Sequence, residues 1–285
     1  MADPDRPPSA GRSTPTALSI AGSDSGGGAG VQADLKAFAR CGVHGMTAIT
    51  AITAQSTVGV SAIHPLPGEI VLAQVRAVSR DIGVDAVKVG MLGTSEVTLA
   101  VARALDELPA GTPVVVDPVI VAESGARLLD PEAQRVLVQE ILPRATVLTP
   151  NLLEARLLAG WVGDTGEEEG EEAESLCRAM LALGPSVVVV TGGHRERVVD
   201  LFLDSENEGR AVELAGERYP DGAAHGSGCT HSSLLAAQLA LGLTPLQAAR
   251  SARELAGEAV RNGLRDIGAG AGPVDVLGLR RMRAP

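Results

Sequence analysis

From Ala17 almost to the end of the chain, short runs rich in Val and Ala alternate with amphipathic helical periods, and this rhythm leaves few folds open. Runs of four to seven apolar residues with many β-branched side chains read as buried strands, and the longer periodic segments between them read as helices. Strand followed by helix, repeated, predicts a parallel sheet covered by helices. The candidate strands are Ala17–Ala21, Thr47–Thr53, Ala86–Val89, Pro113–Asp117, Ala145–Thr149 and Ser186–Thr191, the last continuing into a hairpin through Val198–Leu203. Candidate helices follow the glycine turn 26–30 (apolar Val31, Leu35, Phe38) and cover Gly68–Ile82, Thr94–Leu108 and Pro131–Leu142. Asn151 opens another, and Cys229–Leu241 and Pro245–Asn262 close the chain. No linker and no internal repeat interrupts the pattern. One domain over 17–285 is expected, after a disordered tail 1–16 rich in Pro, Ser and Asp.

Charge narrows the partners. The chain carries a net −11, and a run of seven acidic residues between Asp164 and Glu174 accounts for most of it, leaving −4 elsewhere. A broad nucleic-acid footprint needs the opposite sign, and four aromatics (Phe38, Trp161, Phe202, Tyr219) make no base-stacking platform. The acidic run reads as the solvated start of a helix whose apolar face is Leu176, Met180 and Leu181. No apolar stretch is long enough for a membrane span. Three cysteines without CxxC spacing or a secretory signal predict a reducing cytosol, with neither structural disulfides nor zinc.

Ligands of open parallel sheets bind beyond the carboxyl ends of the strands, and four features fall there. Gly22-Ser23-Asp24-Ser25 with its glycine run fails as a Walker A loop, having no Lys, and as a dinucleotide fingerprint, having Val31 where glycine is needed. It remains either a structural turn or a close approach of backbone to a small ligand. Asp117 and Glu154 at neighbouring strand ends suit Mg²⁺ held through water, or an N-cap and a surface carboxylate. Thr191-Gly192-Gly193-His194 reads alone as a tight turn. Gly226-Ser227-Gly228-Cys229-Thr230 opens an Ala/Leu-rich helix, where backbone N–H groups and the helix dipole make an anion site. A cysteine placed there is expected to have its pKa lowered towards about 7 and to act as a proton acceptor.

Together these stretches resemble the hydroxymethylpyrimidine/phosphomethylpyrimidine kinase family of thiamine biosynthesis. The matching residues are Ile20–Asp24 with Gly27–Lys36, Thr53-Ala54-Gln55, Gly90-Met91-Leu92, Asp117-Pro118-Val119, Thr149–Glu154, Gly192-Gly193-His194 and His225–Thr230. The resemblance implies a ribokinase-like three-layer α/β/α sandwich with a central, mostly parallel sheet. It implies a cytoplasmic enzyme, commonly a homodimer, that uses ATP and Mg²⁺. It assigns Cys229, Gly226 and Gly228 to catalysis, and Gln55, Gly22, Asp34, Met91 and Val119 to the pyrimidine. Asn151, Gly192, Gly193, Ser227 and Arg253 fall to nucleotide and phosphate, Asp117 and Glu154 to the metal. In this scheme Cys229 takes the proton of the substrate hydroxymethyl group as its oxygen attacks the γ-phosphorus, and the N–H groups of residues 226–229 stabilise the transferred phosphoryl group. A second transfer, from monophosphate to diphosphate, is part of the same expectation.

Gln55 separates this reading from its nearest rival, a pyridoxal/pyridoxine kinase. A carboxamide pairs with an exocyclic amine beside a ring nitrogen, an edge that pyridoxal lacks. The rival from another class is a catalytically silent pyrimidine-binding protein. The sequence departs from the family pattern at Thr191 and Arg253, where relatives often carry Lys, at Glu123, and at Asp275-Val276 near the C-terminus.

Overall fold

The computed structural model describes residues 12–121, 125, 127–160, 169–192, 199–205, 211–220 and 222–279. The tail 1–11, Glu123, the acidic residues 164–168, and Gly193 and His194 lie outside the described residues.

The elements run β1 (Thr16–Ala21), α1 (Gly30–Arg40), β2 (His44–Ile49), β3 (Ala51–Ser56), β4 (Gly59–Pro65), α2 (Gly68–Asp81), β5 (Ala86–Val89), α3 (Ser95–Asp106) and β6 (Val114–Val116). They continue with α4 (Pro131–Val136), β7 (Val147–Leu148), α5 (Leu152–Ala159), α6 (Glu169–Leu181), β8 (Val187–Val190), β9 (Val199–Asp204), β10 (Val212–Ala215), α7 (Ser227–Ala240) and α8 (Pro245–Arg261). Eight strands form the main sheet in the order β10-β9-β8-β7-β6-β5-β1-β2. Pairing is parallel from β8 to β2 and antiparallel at β9 and β10.

Alternation along the strands divides the core in two. Ala17, Val115, Val147, Val187 and Val189 point to one face, where they meet Phe38 of α1, Leu234 and Leu235 of α7, and the alanine stripe Ala248–Ala259 of α8. Leu18, Ile20, Val87, Val89, Val116, Leu148 and Val188 point to the other, against α2, α3, α5 and α6. Both faces are dry, which is why the strands read as continuous apolar runs. Local signals start the helices. Thr94 accepts a hydrogen bond from the Val97 N–H, and Asp130, before Pro131, accepts one from Ala133.

Three expectations change. The run Thr47–Thr53 is not one strand: it breaks at Thr50, whose hydroxyl donates to the Met91 carbonyl at 2.6 Å. Its first half closes the main sheet as β2. Its second half pairs with β4 in a separate two-stranded sheet. Pro131–Leu142 is an α-turn pair that widens into a π-type turn over Leu137–Ile141 and ends in a 3₁₀ turn. Within the acidic run, Glu172 is buried, and its carboxylate receives Arg156 Nε and Nη2 at 2.6 and 2.7 Å. It anchors α6 to α5 rather than facing solvent.

Candidate active site

Two glycine turns from opposite ends of the chain meet at the carboxyl edge of the sheet. After β1, Gly30 adopts φ +56°, and a Cβ there would lie 2.4 Å from the Gly22 carbonyl oxygen. Before α7, Gly226 adopts φ +79°, and its Cβ would fall 1.8 Å from the Gly28 carbonyl oxygen. No L side chain fits either place. Gly226 is the N-cap of α7 and offers no side-chain cap, so the first-turn N–H groups stay directed outward. Ser227 is the exception, because its N–H donates to the Ala224 carbonyl at 2.9 Å. Of the four donors expected over 226–229, that of Ser227 is therefore turned back onto the loop, leaving those of Gly226, Gly228 and Cys229 for an anion. Gly228 is exposed, and nothing lies within 4 Å of where its Cβ would stand. That is open space for an anion.

Cys229 is half-buried, and the Gly30 N–H is near enough to its sulfur to lower its pKa. Its pKa runs opposite to expectation. The protein packed around the sulfur and the carboxylates of Asp117 and Asp34 push it up to about 12, against the opposing pull of Lys88 and the Gly30 N–H. A helix start alone favours the thiolate; here burial and two nearby anions outweigh it.

Those anions belong to a cluster beneath the thiol. Lys88, at the centre of β5, is 0% exposed. Its ammonium lies 3.0 and 3.2 Å from the two carboxylate oxygens of Asp34 and 3.7 Å from Asp117 Oδ2. Ser19 and Ser233 donate to Asp34, and Ser232 donates to Asp117 at 3.0 Å. Burial works to strip the proton from Lys88, but the neighbouring anions, Asp34 foremost, prevail and hold its pKa above the usual value. Asp34 is 0% exposed, with both oxygens engaged. The structure places it as the buried counter-ion of Lys88.

Asp117 and Glu154 do come together. Burial raises both pKa values, and the Asp117 charge helps push Glu154 up to about 8. Glu154 also closes a capping box on α5, accepting from the Asn151 N–H at 3.0 Å while the Asn151 side chain accepts from the Glu154 N–H. Asn151 is thus in part a helix cap. Two hard carboxylates that each disfavour the other's ionisation form a donor set that fits Mg²⁺. Among the described residues, no group of three or more His, Cys, Asp or Glu converges as a metal cage. Water and phosphate would have to complete the ion's shell.

On the next strand end, the Gly192 N–H donates to Asp200 Oδ1 at 2.9 Å, and Arg253 Nε lies 3.3 Å from Asp200 Oδ2. Asp200 therefore joins two residues expected on the nucleotide side. His231 stands 3.8 Å from the same carboxylate, with burial holding its pKa below the usual imidazole range. Arg253 also borders a cavity of about 530 Å³ between β10 and α8, with Tyr219, Glu217, Arg250 and Gly257.

The acceptor side lies across the edge. Met91 Sδ would be 3.1 Å from a Cβ on Gly22, so these two are in contact. Val119, half-buried, follows Asp117 in a tight turn. A register shift between Ala54 and Gln55 re-aims Gln55. Its backbone exchanges hydrogen bonds with the Ser25 hydroxyl, and it lines a cavity of about 490 Å³ with Ser25, Val58 and Ser61. Gly22, Met91 and Val119 are not part of that cavity's wall. Sequence reasoning missed Lys88 and Asp200. A lysine inside an otherwise apolar strand was the available signal for the first.

A parallel sheet with helices on both faces, and an uncapped glycine helix start beside a carboxylate pair at its carboxyl edge, define a ribokinase-like small-molecule kinase. The family model described as phosphomethylpyrimidine kinase matches residues 24–275. The hydroxymethylpyrimidine/phosphomethylpyrimidine kinase of Rhizobium meliloti is 46% identical over 266 residues, covering 92% of this chain and 96% of that protein. Bacillus subtilis pyridoxal kinase, solved as an ADP complex, superposes with TM-score 0.83 at 36% identity, over 94% of this chain and 99% of that one. Clostridium difficile phosphomethylpyrimidine kinase gives TM-score 0.74 at 36% identity, over 87% and 100%. The chain belongs to the phosphomethylpyrimidine kinase family.

Proposed function

We propose that the protein transfers the γ-phosphoryl group of ATP to 4-amino-5-hydroxymethyl-2-methylpyrimidine and then phosphorylates the monophosphate to the diphosphate, for thiamine biosynthesis. The observation that carries this reading is the family match across residues 24–275, which includes Gln55 and the Gly226–Cys229 helix start. The acceptor would lie near Gly22, Gln55, Met91 and Val119, with its hydroxymethyl oxygen towards Cys229. The N–H groups of Gly226, Gly228 and Cys229 would face the transferred phosphoryl group, and Ser227 would contribute its hydroxyl. Gly192, Gly193, Asn151 and Arg253 fall to the nucleotide. Asp117 and Glu154 would hold Mg²⁺, which when bound neutralises charge on the phosphate oxygens.

Phosphoryl transfer depends on positioning and electrostatics more than on covalent chemistry. Cys229 serves as the acceptor of the hydroxymethyl proton. Its high pKa makes the thiolate scarce but strongly basic, and Lys88 is the fixed charge that favours its formation. ATP-consumption assays with hydroxymethylpyrimidine, its monophosphate and pyridoxal test the reading. Turnover on both pyrimidines above that on pyridoxal is expected. Binding of a pyrimidine without ATP consumption would overturn it.

Pyridoxal phosphorylation is the second reading, favoured by the 0.83 TM-score to a pyridoxal kinase. Gln55 discriminates. Replacing Gln55 by Met removes an acceptor and a donor together, worth about 1–3 kcal/mol. A loss of roughly 10- to 100-fold in kcat/KM is expected for hydroxymethylpyrimidine, with pyridoxal use largely unchanged. Equal loss on every substrate would mean that Gln55 does not read the ring.

We further read the protein as a cytoplasmic homodimer. No described helix is long and apolar enough to cross a membrane, and Cys41, Cys177 and Cys229 are not joined in disulfides. The β3–β4 hairpin exposes Ile52, Val58 and Ile63 and its turn, an apolar surface available to a second copy. Sedimentation as a monomer at working concentrations would remove that part of the reading.

A further inference from the structure

The two glycine turns of the site are joined by one side-chain pair that the mechanism above leaves unused. Asp24 is fully buried at the side chain. Its Oδ1 accepts from the Gly26 N–H at 2.8 Å, and its Oδ2 accepts from the N–H groups of Gly28 and Ala29 at 3.0 and 2.8 Å. The same Oδ2 lies 3.0 Å from His225 Nε2. These donors hold the Asp24 carboxyl below the usual carboxylate range against the opposing effect of burial. With Asp24 a carboxylate at neutral pH, the imidazole Nε2 is the donor.

His225 stands immediately before Gly226, the N-cap of α7. Its ring fills the space over Gly28, where a Cβ would come within 2.2 Å of His225 Cδ2. Its backbone is clamped from the other side, donating to the Gly272 carbonyl and accepting from the Val274 N–H, both at 3.2 Å. Three segments far apart in sequence, 24–30, 225–229 and 272–274, therefore meet at one histidine. The carboxylate on one side shapes the turn that follows the acceptor-side glycine, and the imidazole on the other side precedes the phosphate-facing turn.

We propose that Asp24 and His225 are a positioning pair that holds the first turn of α7 in register with the Gly22–Gly30 turn, and so sets the distance between the acceptor oxygen and the phosphoryl group. The pair touches neither reactant. It acts through Gly226, Gly228 and Cys229 on one side and through Gly28 and Gly30 on the other, and the Gly30 N–H is close enough to the Cys229 sulfur to pull its pKa down. The inference rests on the assignment of these turns to acceptor and phosphate. In-line transfer tolerates little displacement, and an error of 1 Å costs about 10²-fold in rate. Each turn alone still binds its own ligand. Loss of the pair therefore falls on turnover rather than on binding.

The test compares wild type with His225→Ala, His225→Gln and Asp24→Asn. In Gln, the amide N–H replaces the Nε2–H donor. We expect His225→Ala to lower kcat for hydroxymethylpyrimidine by roughly 30- to 100-fold, with KM for ATP and for the pyrimidine within about threefold of wild type. His225→Gln should recover at least a tenth of wild-type turnover. Asp24→Asn, which keeps one acceptor but loses the charge, should resemble His225→Ala, and it decides the matter if His225→Ala does not fold. Turnover within twofold of wild type for the folded alanine variant, a loss carried by KM alone, or no recovery with Gln would overturn the proposal. Wild-type protein inactive on every pyrimidine would instead overturn the functional reading. The pair is then judged by the alkylation rate at Cys229, which should fall in His225→Ala as the Gly30 N–H, whose pull favours the thiolate, leaves the sulfur, and recover in His225→Gln; an unchanged rate would refute it.

Discussion

Cys229→Ala is expected to lower kcat by about 10²- to 10⁴-fold, the range for removing a positioned proton acceptor. KM for ATP should change little, because Gly192, Asp200 and Arg253 belong to other elements. The pH dependence carries the finer test. With the Cys229 pKa raised to about 12, the thiolate fraction grows with every step in pH across the neutral range. Wild-type kcat/KM should therefore climb between pH 7 and pH 9.5, and the alanine variant should lose that limb. Alkylation of the ligand-free protein, read at each cysteine by mass spectrometry, should accelerate at Cys229 by about tenfold per pH unit over the same range. A plateau below pH 8 would show that the helix start prevails over burial and the two carboxylates. Wild-type turnover in Cys229→Ala would remove the residue from catalysis altogether.

The sign of that pKa shows what a sequence makes legible and what it hides. The glycine helix start, the cysteine three positions into it and the dipole behind it are contiguous, and local rules recover them. Asp34, on the buried face of α1, and Asp117, just past the end of β6, reverse the shift and carry no local mark of where they will lie. Asp34 fits a family motif yet serves Lys88, 54 residues away, because a motif fixes a residue's identity and not its partner. Lys88 itself stands in Ala-Val-Lys-Val, a run buried on both faces, where an ammonium cannot reach water and must be paired. The parallel core was legible because its strands are apolar on both sides. The β3–β4 hairpin was not: one of its faces is open, its residues alternate between Ile, Ala and Ser, and the chain leaves the main sheet at Thr50 without glycine or proline to mark the break. β10, only four residues long, is too short and too polar to register as a strand.

Lys88→Met should be the most destabilising single change in the site. Methionine matches the lysine stem in volume, so the substitution opens almost no cavity and isolates the charge. What remains is Asp34 and Asp117, buried near one another with serine donors but no cation. Breaking a buried ion pair from one side costs about 3–5 kcal/mol, a large part of the 5–15 kcal/mol that typically holds a protein folded. At roughly 2–4 °C per kcal/mol for a chain of this size class, the melting temperature should fall by about 6–20 °C. The pH dependence has a definite sign. Asp117 is already held above the usual carboxylate range by burial, and Lys88 is the chief opposing influence. Without the ammonium its folded-state pKa rises further above the unfolded value, so the penalty is full at high pH and fades as the pH falls through that raised pKa. The gap in melting temperature between variant and wild type should narrow from pH 8 to pH 5. Adding Asp34→Asn to Lys88→Met removes one of the stranded charges while leaving an acceptor for Ser19 and Ser233, and should recover part of the loss. A variant melting within a degree or two of wild type at pH 8, or a double variant weaker than the single one, would mean that the cluster is not an electrostatic unit and that Lys88 does not govern the charge beneath Cys229.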